Sequence, residues 1–126
     1  MTSSPARTPQ GGAGRGLLIH SAGPLEQEAL PGILRSAANA RAALGQETYI
    51  EVLVQGPGVA MLATGPPASE AIDNARKLNV RILACGNSMR SAGLEDGDLV
   101  RGVEAVPSAI AHLAQRQWTG WAYARL

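Results

Sequence analysis

The only cysteine of this chain, Cys85, closes an apolar run and opens a polar one: "RILACGNSMRSAG", residues 81–93. A thiol between a buried strand and a helix start has two readings. It is a small buried hydrophobe, since free cysteine is among the most buried residue types. Or it is a nucleophile, since helix N–H groups and the positive end of the helix dipole favour a thiolate. Gly86 removes a side chain that would crowd the sulfur, Asn87 and Ser88 bring polar groups, and Arg90 brings a cation. His20 is the candidate base or hydrogen-bond partner if its strand neighbours that of Cys85. The alternative is a histidine that satisfies loop backbone groups. Ser21 follows it. Gly56 and Gly58, in "QGPG" (55–58), leave a strand at the same sheet edge and wall a small pocket, or simply make a turn. His112 reads as a mid-helix surface or interface residue. Ser108 reads as a helix cap, without the Ser/His/Asp order of a nucleophile.

Other chemistries find little support. Two histidines and one cysteine at no paired spacing give no zinc signature, so no metal is expected. No Walker pattern occurs, and "GGAGRG" (11–16) precedes the first strand, on the wrong side for a phosphate loop. No cofactor is expected. A net charge of +1, from 11 basic and 10 acidic residues without a cluster, argues against nucleic acid as a partner. No run approaches the roughly 18 apolar residues of a membrane span. The N-terminus lacks a signal-peptide core, and one cysteine forms no internal disulfide, so the expected location is cytoplasmic.

These residues need a scaffold. At 126 residues the chain is long enough for one domain with a real core. Residues 1–15, "MTSSPARTPQGGAGR", carry almost nothing to bury and read as a disordered extension. Residues 16–126 read as the folded domain. "GLLIHS" (16–21), "TYIEVLVQ" (48–55), "VRILAC" (80–85), "GVEAV" (102–106) and "GWAYARL" (120–126) read as strands. Between them lie helical patterns. Leu30, Ile33, Leu34, Ala37, Ala38, Arg41 and Leu44 recur at helical spacing, with Pro31 near the start and Gly45 at the stop. Residues 56–67 hold at best a short apolar helix. Ser69 is the expected cap of a helix with Ala71, Ile72, Ala75 and Leu78 inward. A short helix spans 87–92 and ends at Gly93. Pro107 and Ser108 open a last one with Ile110, Leu113 and Ala114 on one face. Strands alternating with helical crossovers predict an α/β fold: a three-layer α/β/α domain on a five-stranded, parallel, doubly wound sheet, flavodoxin-like or Rossmann-like. Ligands bind such sheets at the carboxyl ends of the strands, where Cys85 falls. Its sulfur is expected to face a cleft or a subunit junction.

"ACGNSMR" followed by "GL", and "DLVRGVEAVPSAIAHLAQRQWTGWAYARL", resemble the DsrE/DsrF-like family. "LLIHS", "NARAAL" (39–44) and "QGPGVAMLA" (55–63) fit the same pattern, so the resemblance runs from Gly16 to Leu126. It implies a DsrE-like domain that assembles into trimers or hexamers. It also implies a cysteine after the third strand that carries sulfur as a persulfide, which is Cys85 here. The activity implied is that of a sulfur carrier, sulfurtransferase-like at most, with a sulfur donor or acceptor protein as partner. Sulfur-relay members follow this cysteine with small apolar residues, where this chain has Gly86, Asn87 and Ser88. The second class of function is a non-catalytic, oligomeric binding or interaction domain with a structural Cys85. Charged residues make up 17% of the chain, below the usual share of about 25%, which also points to self-association.

Overall fold

In the computed structural model, which describes residues 15–26, 28–63 and 65–126, each apolar run becomes a parallel strand. The strands are β1 (Gly16–Ala22), β2 (Tyr49–Gln55), β3 (Val80–Cys85), β4 (Val103–Val106) and β5 (Ala122–Arg125), in the spatial order β4-β3-β2-β1-β5. Four α-helices connect them: α1 (Ala29–Leu44), α2 (Pro66–Lys77), α3 (Gly86–Ala92) and α4 (Ala109–Trp118). A 3-10 segment, Gly56–Leu62, precedes α2. The disordered extension expected over 1–15 lies, but for Arg15, outside the described residues.

The strand order decides what covers each face. From β1 to β4 the chain steps one way across the sheet, so right-handed crossovers put α1, α2 and α3 on one side. There Leu30, Ile33, Leu34, Ile72 and Met89 pack on Ile19, Val52, Val54, Ile82 and Ala84. The step from β4 back to β5 runs the other way and carries α4 to the opposite face. On that face Leu18, Leu53, Leu83 and Cys85 pack against Ala109, Leu113 and Trp121. Strand side chains alternate between faces, so Cys85 belongs to the α4 side.

Three local features lock this arrangement. Buried Arg41 donates to the carbonyls of Gly45, Thr48, Leu78 and Asn79 at 2.5–2.9 Å. It satisfies chain ends after α1 and α2 that no helical N–H can reach. Gly16 has no side chain where the Trp121 ring lies: a Cβ there would stand 2.0 Å from the ring. Trp121 in turn stacks on Tyr49 and sits under the Arg116 guanidinium, 4.6 Å from the ring centre.

Several expected roles differ from those observed. Leu44 and Leu78 are exposed, because each falls at a helix end beyond the core. Ser69 is not the cap of α2. The helix starts earlier, at Pro66, and the Ser69 hydroxyl donates back to the Gly65 carbonyl at 2.8 Å. Ile110 does not face the sheet and is 59% exposed. Leu113 packs inward as expected, and the other inward positions of α4 are Ala109, His112 and Arg116. His112 is therefore not a surface residue: its Nε2 lies 2.6 Å from buried Glu51. No helix among the described residues is long and apolar enough to cross a membrane.

Candidate functional site

Cys85 ends β3 and is the residue that caps α3. Gly86 starts that helix and lies against the turn between β4 and α4. A Cβ at residue 86 would stand 2.9 Å from the Val106 carbonyl oxygen. Its lack of a side chain therefore lets the start of α4 close over the sulfur. The Ala109 N–H consequently donates a hydrogen bond to Cys85 Sγ, 3.4 Å long. Ala109 is the first residue of α4, and the Ser108 hydroxyl accepts from Ala111 N–H as the cap.

Ser88 supplies the second polar contact. Its hydroxyl oxygen accepts from the Gly56 N–H at 2.8 Å, which leaves the hydroxyl proton for the sulfur. Burial pushes the Cys85 thiol up. The Ser88 hydroxyl and the N–H groups of Ser88, Ala109 and Asn87 outweigh it, and the net shift is downward. Of the three N–H groups, that of Ala109 forms the closed hydrogen bond. Those of Asn87 and Ser88 act as oriented dipoles, without a closed cap bond from the sulfur. The donors lowering the pKa are neutral. Arg90 is exposed and donates instead to the Asn87 side-chain oxygen.

The sulfur faces no open cleft: Cys85 is 2% exposed. The expectation that the sulfur faces a cleft fails because the start of α4 lies directly on it, admitted by Gly86. His20 does not lie beside it either, because β2 separates β1 from β3. His20 Nδ1 is 2.6 Å from the Tyr123 hydroxyl and its Nε2 2.9 Å from Gln55 Oε1. Gln55 accepts through that oxygen, so Nε2 carries a proton. Gln55 follows Val54 as Cys85 follows Ala84, and Val54 pairs with Ala84. Gln55 is thus level with Cys85 on the strand that separates it from β1, on the same face, while His20 is level with Leu53.

The remaining candidates separate. Ser21 is buried on the opposite face, one residue out of phase with His20. Gly58 is a packing glycine: a Cβ there would stand 2.8 Å from the Gly23 carbonyl oxygen and from Leu25. Gly56 has φ +80 and serves the site through its N–H on Ser88. Sequence reasoning missed Ala109, whose signal was only the Pro107-Ser108 helix opening. It also missed the buried cluster at Glu51, reached by Arg116 Nη2 and Arg81 Nη1 at 2.7 Å each. Burial would raise the Glu51 carboxyl, but His112 and Arg116 hold it down at about 2. Among the described residues no group of three His, Cys, Asp or Glu side chains is placed to hold a metal ion.

The sequence matches the model of the DsrE/DsrF-like family over residues 24–124. The chain belongs to this family. As a DsrE-like protein it shares a fold with several solved structures. A protein of unknown function from Methanobacterium thermoautotrophicum, MTH1491, is 28% identical, with a TM-score of 0.80 over 88% of this chain and 98% of its own. The ychN protein from E. coli is 15% identical, with a TM-score of 0.70 over 89% of this chain and 99% of its own. A conserved protein of unknown function from Bacteroides thetaiotaomicron, BT1422, is 12% identical, with a TM-score of 0.65 over 86% and 94%. No curated protein matches the chain. The DsrE-like family is associated in general with sulfur relay.

Proposed function

We propose that this DsrE-like protein is a sulfur carrier that holds a persulfide on Cys85. The observation that carries the reading is the set of neutral donors around Sγ, from Ser88, Ala109 and Asn87, which favours the thiolate in spite of burial. The Cys85 thiolate attacks the outer sulfur of a donor persulfide, R–S–SH. The new S–S bond forms as the donor's S–S bond breaks, and R–S⁻ leaves with the electron pair and takes up a proton from water. No external oxidant or reductant is consumed. The chain has no second cysteine, so the accepting thiol belongs to a partner protein or a small molecule. With Cys85 only 2% exposed, loading requires a local opening over the sulfur.

Self-association belongs to the same reading. Ile110, Ala114 and Trp118 form an outward stripe on α4 at four-residue spacing, and Ile110 and Trp118 are 59% and 81% exposed. Leu126 adds an exposed apolar residue beyond β5. A second copy of the chain, in a trimer or hexamer, is the occupant proposed for this surface.

The burial of Cys85 itself favours a second reading, a binding or interaction domain in which the thiol only fills space. Cyanolysis separates the two. After incubation with a small-molecule persulfide and desalting, cyanide should release about one thiocyanate per chain from the wild type and none from Cys85→Ser, on the persulfide chemistry above. No release from either protein would leave the space-filling reading.

A further inference from the structure

Glu51 is the most deeply buried charge of the described residues, at 1% exposure, and it stands on β2 away from the sulfur. It faces α4 and is held from two elements. On α4, His112 Nε2 meets Oε1 at 2.6 Å, while Arg116 Nε and Nη2 reach Oε1 and Oε2 at 3.1 and 2.7 Å. On β3, Arg81 Nη1 reaches Oε2 at 2.7 Å and also pairs with Glu104 of β4. A buried carboxylate so bonded is costly to displace, because any shift leaves its charge and those of its partners unpaired. The helix residues involved fall at 112 and 116, three and seven positions beyond Ala109. That spacing puts all three on one face of α4. The face gripped by Glu51 is thus the face whose first N–H meets Cys85 Sγ.

We propose that Glu51 is a positioning residue for Cys85: through His112 and Arg116 it sets the depth and rotation of α4, and so keeps the Ala109 N–H on the sulfur. The inference rests on the reading of Cys85 as an activated thiol. A helix with 1.5 Å rise per residue and no anchor at its far end would slide or roll, and its long hydrogen bond to sulfur would be the first to break. The thiol would then become less acidic while the sheet and the other helices stayed intact.

The test is the pH profile of Cys85 alkylation by iodoacetamide in the folded, full-length chain. Glu51→Gln is the direct variant. Arg116→Gln and His112→Gln loosen the same grip while leaving the carboxylate in place, and serve if Glu51→Gln does not fold. Arg90→Gln is the electrostatic control. It removes one positive charge, as Arg116→Gln does, from an exposed residue five positions after Cys85 on α3, about 8 Å along the helix, whose side chain donates to Asn87 rather than to Glu51. Arg116→Lys keeps the charge and restores part of the grip. Glu51→Gln, Arg116→Gln and His112→Gln should move the alkylation midpoint up by about one pH unit, Arg116→Lys by less and Arg90→Gln hardly at all. If Arg116→Gln moves it no further than Arg90→Gln, the positioning role is overturned. If the wild-type midpoint itself lies at the ordinary thiol value, the reading of Cys85 as an activated thiol fails, and this role with it.

Discussion

Acid should destabilise this protein through Glu51. The carboxyl is 1% exposed and is held at about 2, against an ordinary value of 4.5. A depressed carboxyl stabilises the folded state above its unfolded pKa, and that contribution is lost as pH falls through the folded pKa. A difference of about 2.5 units corresponds to about 3 kcal/mol, present above about pH 5 and lost progressively towards pH 2. By pH 3 about 2 kcal/mol of it should be gone. Urea unfolding of wild type and Glu51→Gln across this range isolates the share of this one group. At neutral pH the variant should be less stable by several kcal/mol, since Arg116 and His112 lose their buried partner. The difference between the two proteins should shrink by about 2 kcal/mol between pH 6 and pH 3. Parallel curves, with a constant gap across that range, would refute the reasoning. Glu51 would then titrate alike in the folded and unfolded states, and its bonds to α4 would carry no pH-dependent stability.

Three further outcomes follow from the geometry. Ser88→Ala removes the hydroxyl that serves both Gly56 N–H and Cys85, and should raise the thiol midpoint in the pH dependence of thiolate absorbance. Gly86→Ala sets a methyl group 2.9 Å from the Val106 carbonyl oxygen. Thermal unfolding should show a loss of about 1–3 kcal/mol, together with faster modification of Cys85 as α4 lifts. Trp118→Glu puts a charge on the outward stripe of α4. On the self-association proposed above, sedimentation should show a smaller assembly than the wild type, while circular dichroism stays unchanged.

The elements were legible because their patterns were strong. Apolar runs bounded by Gly, Pro and Ser gave all five strands, and their alternation with helices gave the parallel sheet. Strand order was not written in any local pattern. It decided that His20 would pair with Gln55 and Tyr123, with β2 between it and Cys85. The inward face of α4 misled for a different reason. Apolar periodicity selects Ile110 and Ala114, whereas the packed face carries His112 and Arg116, whose charges are acceptable inside only because Glu51 is there. Such a pair is invisible in sequence, since its members are 61 and 65 positions apart. Cys85 itself was legible as a residue at a strand end before a helix. Burial was one of two readings open for it, and what decides between them, the lid from Ala109, lies 24 positions on.

The central claim is that Cys85 accepts and holds sulfur. Mass spectrometry of the native protein after exposure to a persulfide donor tests it directly, with Cys85→Ser treated in parallel. The account predicts one added sulfur atom on the peptide that contains Cys85, removed by a reducing thiol and absent from the variant. A wild-type chain that stays unmodified under conditions where a free small thiol is fully converted would contradict it.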